Sequence, residues 1–130
     1  MWCLRVDSLA RGVYHYRPDR HSLELLAIGA DSGRIAELCG HQAWIGNCSA
    51  LFVMTSVLPR VMWRYRFSRA YRVILLEAGH FCQTFCLAAT WLGLAPFCTA
   101  ALQDQMIESD LGLKADEIVV YAAGVGTPAQ

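Results

Sequence analysis

Residues 71–94, YRVILLEAGHFCQTFCLAATWLGL, decide how this chain is read. Arg72 and Glu77 are the only charges in the run, and from Ala78 to Gln103 there is no Asp, Glu, Lys or Arg at all. Such a segment has two readings. It can cross a bilayer, which takes about 20 apolar residues, or it can be a helix covered by protein on every side. His80, Gln83, Thr84, Thr90 and Pro96 interrupt it, and Leu-Gly-Leu-Ala-Pro at 92–96 reads as a helix end leading into an extended segment. A central, fully buried helix is therefore the expectation, with a small membrane protein as the competing reading.

Working outward, residues 50–58, ALFVMTSVL, form an apolar, β-branched run of strand length, expected to be buried on both faces. Upstream, GVYHYRP at 12–18 and HSLELLAI at 21–28 flank Asp19-Arg20 and read as a hairpin. Asp31 caps a short helix to about Leu38, closed by Gly40. Downstream, PFCTA at 96–100 is a short strand, residues 103–111 a helix ended by Gly112, and EIVVYAAGV at 117–125 a last strand. No repeat, linker or low-complexity tract divides them, so residues 1–130 read as one α+β domain.

The 130 residues are 55% apolar and 17% charged, against about 25% charged in an ordinary soluble domain. Disorder is excluded, since it needs low hydrophobicity and high net charge. Eleven basic and eleven acidic side chains cancel, so no global field draws the chain to nucleic acid or anionic lipid. A chain this short and this apolar has apolar surface to spare; a partner chain, a cofactor or a membrane is expected to cover some of it.

Cysteines stand at 3, 39, 48, 82, 86 and 98 with no C-x-x-C pair, and the first residues lack the apolar core of a signal peptide. Cys82 and Cys86, with His80 nearby, lack further ligands at metal-site spacing, so no metal is expected. All six read as free, buried cysteines acting as small hydrophobes in a reducing cytoplasm. No G-x-G-x-x-G, Walker A or G-x-S-x-G motif is present. What remains is a basic, aromatic segment: Arg60, Trp63, Arg64, Tyr65, Arg66, Arg69, Tyr71 and Arg72. Arginines and tyrosines so placed suit a phosphate or a flat anionic ring; a solvated basic loop is the equally open alternative.

Three stretches carry a family resemblance: GVYHYRPDRHSLELL at 12–26, the run from Ala50 to Leu94, and LGLKADEIVVYAAGVGTP at 111–128. Together they resemble the SagB-type dehydrogenases of the nitroreductase-like flavin oxidoreductases, most specifically through Tyr-Arg-x-x-x-Leu-Glu-Ala-Gly-His at 71–80. The resemblance implies an α+β nitroreductase-like fold that binds flavin mononucleotide (FMN) between two chains, here lacking the family's usual N-terminal helices. It implies a homodimer, or a companion chain supplying those helices, and burial of the core helix at the dimer centre. It also implies a peptide or small-molecule substrate, with oxidation of azoline rings in a modified peptide as the chemistry. The family's Lys-Tyr pair falls on Arg64-Tyr65. Tyr65 would be the base and Arg64 an electrostatic helper, because an arginine stays protonated. Arg69 and Arg72 would bind the cofactor, and Ala100-Ala101, at the place of a family Gly-Gly pair, would form its backbone platform. A flavin-free scaffold or binding subunit of a peptide-modifying complex is the alternative.

Overall fold

The computed structural model describes residues 1–128. Six strands form one sheet: β1 (Trp2–Cys3), β2 (Gly12–Arg17), β3 (Ser22–Ile28), β4 (Ala50–Val57), β5 (Ala95–Thr99) and β6 (Glu117–Gly126). Their order is β3-β2-β1-β4-β6-β5, and every neighbouring pair is antiparallel. Four helices accompany it: α1 (Ser32–Leu38), α2 (Leu58–Met62), α3 (Arg69–Trp91) and α4 (Asp104–Leu111).

Local chemistry sets the boundaries. The Asp31 carboxylate accepts from the Arg34 N–H at 2.7 Å and caps α1. Gly112 ends α4 in the left-handed conformation that glycine adopts without a Cβ penalty. Arg34 then joins the two helices, donating to both carboxylate oxygens of Asp110 at 2.9 Å. The two-residue β1 is the hub of the sheet: Trp2 pairs with Val13 on one side and Leu51 on the other.

The sheet has two unequal faces. On one, Leu51, Val119 and Ala122 meet Ile35 and Leu38 of α1, Ile45 of a 3-10 turn (Ala43–Asn47) and Ile107 of α4. Phe97 completes this side; its ring stacks edge-on against Trp44 at 4.7 Å and lies over Gly124, where a Cβ would overlap it. Across the other face lies α3, packed on β5 and β6, with Phe85 against Phe52 of β4 at 5.1 Å.

Two expectations need correction here. The long helix is not covered on all sides: only Ala70, Ile74, Cys82 and Ala89 of its 23 residues are buried, while Phe81, Leu87 and Trp91 are exposed. It rests on the sheet along one stripe, and nothing among the described residues covers its back. For the same reason β4 is fully buried only at Ala50 and Leu51; Phe52 and Met54 are half-buried on the side of the single helix, and Val53 is half-buried against the opposite core. The hairpin β2–β3 forms as expected, yet every residue of β3 is exposed, Ile28 at 88%.

Cys3, Cys39 and Cys48 are free and buried. Burial pushes the Cys39 thiol up to about 11, with the Cys48 thiol adding to the effect. A group whose neutral form is favoured by the fold contributes stability below its unfolded value near 8.5, and that contribution fades as pH rises through the folded value. The expected result is a loss of about 2 kcal/mol between pH 9 and 11. Cys39→Ala removes this part of the loss, and urea titrations of both proteins at several pH values measure it.

Candidate functional site

The cationic segment lies where β4 hands the chain to α3. Pro59 starts the short α2 with its ring in the first turn, where no N–H is needed. The Arg64 and Tyr65 backbone N–H groups both donate to the Val61 carbonyl, at 3.1 and 3.0 Å, closing a turn. Arg64 and Tyr65 stand there on an open loop, Tyr65 44% exposed, between the exposed rings of Trp63 and Phe67.

Arg69 and Arg72 open α3 three residues apart and so share one helix face. With Ser68, Tyr71, Leu75 and Leu76 they line an open hollow of about 630 Å³. This arrangement runs against helix stability. Two like charges at this spacing repel by a few tenths of a kcal/mol, and cations oppose the positive end of the helix dipole. The first turn of α3 holds no acidic residue to offset them, and the Ser68 side chain makes no capping bond. Among the described residues, the arginines in ion pairs are Arg17, Arg20 and Arg34, none of them in this segment. An anion at the hollow would relieve every one of these costs.

A second cavity, a groove of about 760 Å³, lies between α3 and the sheet and is walled by Tyr14, Phe52, Met54, Ile74, Phe81 and Phe85. Its apolar wall suits a flat ring or an apolar substrate. The alternation of β4 could have suggested Phe52 and Met54 as wall residues, but nothing local says that Phe81 and Phe85 lie opposite them.

Ala100 and Ala101 stand apart from both cavities. They follow β5 as exposed residues, and the Ala101 N–H is already given to the Thr99 hydroxyl at 3.1 Å. Ala101 packs against Gly40 behind α1, so closely that a Cβ on Gly40 would lie 3.1 Å from the Ala101 carbonyl oxygen. The structure thus brings Arg69 and Arg72 together, sets Arg64 and Tyr65 on the preceding loop, and joins the alanine pair to neither.

The sulfur chemistry was the least legible part. Cys82 and Cys98 form a disulfide, which corrects the expectation of six free thiols. Cys86 lies with them, all three sulfur atoms within 4.8 Å of one another. The missing third sulfur comes from β5, which the turn after α3 folds back against the helix.

Nitroreductase is the family whose sequence profile matches residues 6–127. The trifolitoxin-processing protein TfxB of Rhizobium leguminosarum bv. trifolii is 30% identical over 83% of this chain, which spans only 30% of that relative's length. A solved structure described as a candidate nitroreductase from Anabaena variabilis superposes with a TM-score of 0.90 at 28% identity, over 98% of this chain and 26% of that one. A chain of the microcin synthetase McbBCD complex from E. coli, solved with truncated pro-MccB17 bound, shares the fold at a TM-score of 0.78 and 24% identity, over 90% of this chain and 44% of that one. With the profile match spanning nearly the whole α+β domain and the architecture superposing throughout, the chain belongs to the nitroreductase family.

Proposed function

We propose that the chain is part of an FMN-dependent oxidoreductase of the SagB type, working as a homodimer or with a companion chain in the cytoplasm on a modified peptide, with azoline rings as the groups oxidised. One observation carries this: two arginines, without acidic partners, converge at the start of α3, on a family fold whose resemblance implies a flavin. The similarity to a trifolitoxin-processing protein and to a chain of a microcin synthetase complex supports the peptide substrate and the companion chains.

The fit of the chain to FMN is partial. The cationic hollow fits the phosphate: Arg69 and Arg72 each offer a forked set of donors, and the Ser68 hydroxyl is free to add another. The flavin ring, when bound, accepts a hydride. Tyr65 would take the proton lost from the azoline ring, and Arg64 beside it would supply positive charge without acting as a base. The loop carrying both residues is open, so closure against a second chain would have to exclude water there. The separation of Ala100-Ala101 from the hollow favours a second reading, a flavin-free binding subunit with the same arginines holding an anionic peptide.

The absorption spectrum of the purified protein, taken before and after FMN addition and desalting, tests the proposal. Retained flavin is expected. Each charge-assisted phosphate contact contributes about 1.5–3 kcal/mol, so Arg69→Ala with Arg72→Ala is expected to weaken FMN binding at least about 100-fold. A protein that is colourless after FMN addition and desalting overturns flavin binding by this chain alone and leaves the binding subunit or a site that a companion chain completes.

A further inference from the structure

We infer that Cys82, Cys86 and Cys98 form a thiol–disulfide exchange site, in which Cys86 moves the disulfide from a partly buried pair to a solvent-reachable one. The four-residue spacing sets Cys82 and Cys86 on one stripe of α3, facing Cys98 on β5. Cys82 and Cys98 are bonded, and the Cys86 sulfur stands 3.3 Å from the Cys98 sulfur. The distance is within attack range, about 3–3.5 Å; the three sulfur atoms lie within 4.8 Å of one another, a bent array that rotation of the Cys86 side chain brings into line for the attack.

The step balances within the chain. Cys86 gives its proton to solvent and its thiolate attacks the Cys98 sulfur. The Cys86–Cys98 bond forms as the Cys82–Cys98 bond breaks, and the electron pair leaves on Cys82, which takes up a proton. No oxidant or reductant is consumed.

Burial gives the exchange its consequence. Cys82 is 2% exposed, whereas Cys86 and Cys98 are both half-buried. A thiol arriving from solvent finds one reachable sulfur, Cys98, in the first pairing and two, Cys86 and Cys98, in the second. The substrate class is a dithiol, small or carried by a protein. One of its thiolates attacks the Cys86 sulfur and releases Cys98 as a thiol. Its second thiolate then displaces Cys86, leaving the dithiol oxidised and the chain reduced by two electrons. In a reducing compartment a disulfide is usually transient of this kind rather than structural.

The test is disulfide mapping by mass spectrometry after acid quenching and maleimide labelling of the full chain, with reduction rates in dithiothreitol. Wild type is expected to yield both Cys82–Cys98 and Cys86–Cys98 pairs. Cys86→Ser is expected to hold only the first pair and to be reduced at least twofold more slowly. Cys82→Ser is expected to keep one disulfide, Cys86–Cys98, reduced as fast as wild type. A wild-type map with Cys82–Cys98 alone, and a Cys86→Ser protein reduced at the wild-type rate, would overturn the inference. So would three free thiols with one zinc per chain, which would make the cluster a metal site.

Discussion

Leu51→Ala is expected to cost about 3 kcal/mol, and Phe52→Ala, one residue further along the same strand, markedly less. The order is the reverse of side-chain size. Leu51 is fully buried near the start of β4, between Trp2 of β1 and Gly124 of β6, in the face closed by α1 and α4. Removing the isopropyl end of its side chain leaves a closed void, and such losses run about 2–5 kcal/mol. Phe52 points to the other face, where it is half-buried and walls the groove under α3. Truncation there enlarges an opening that solvent already reaches, so mainly the transfer term is lost, with the contact to Phe85. In a domain whose whole stability is about 5–15 kcal/mol, the Leu51 change should lower the melting temperature by about 10 °C. Thermal unfolding of the two variants decides it. An equal or larger fall for Phe52→Ala would show that the α3 face is as closed as the α1–α4 face.

That inequality of faces explains what could be read from the sequence and what could not. Elements whose ends are chemical stood out: Asp31 before α1, Gly112 after α4, the turn between β2 and β3. The two-residue β1 did not, because its place comes from pairing with distant β2 and β4 rather than from any local pattern. Nor did α2, whose five residues lie inside a segment that reads as a basic loop. The absence of charge from Ala78 to Gln103 signalled burial of the helix, but an apolar face does not say what buries it. Arg69 and Arg72 stood out as part of a basic, aromatic segment, but the helix was expected to begin at Tyr71; it begins at Arg69, which sets both arginines on one face. The distance of Ala100-Ala101 from them, and the meeting of Cys98 with Cys82 and Cys86, depend on how β5 returns against α3. Strand return is a tertiary fact that spacing along the chain does not contain.

The uncovered back of α3 yields the other large expected effect. Leu76, Leu87 and Trp91 fall on one stripe by the 3.6-residue period, and they are 58%, 63% and 85% exposed. No charged residue separates Leu87 from Trp91, and none follows before Asp104. Exposed apolar area of this kind marks an interaction surface. By length and composition α3 is also apolar enough to cross a membrane, so the experiment must distinguish a protein partner from lipid. A second copy of the chain, with α3 laid on α3, is the expected cover in the proposed homodimer. Burying one large apolar side chain contributes about 1.5–3 kcal/mol. Leu76→Glu with Trp91→Glu removes two per chain and adds a charge that burial would desolvate. The dimer should weaken at least about 100-fold, visible by sedimentation velocity in detergent-free buffer as a shift from dimer to monomer. Because neither residue reaches the closed core, the variant should keep the wild-type circular dichroism spectrum. Wild type sedimenting as a monomer would exclude self-association and point to a companion chain. Wild type that stays in solution only with detergent would favour the membrane reading of α3.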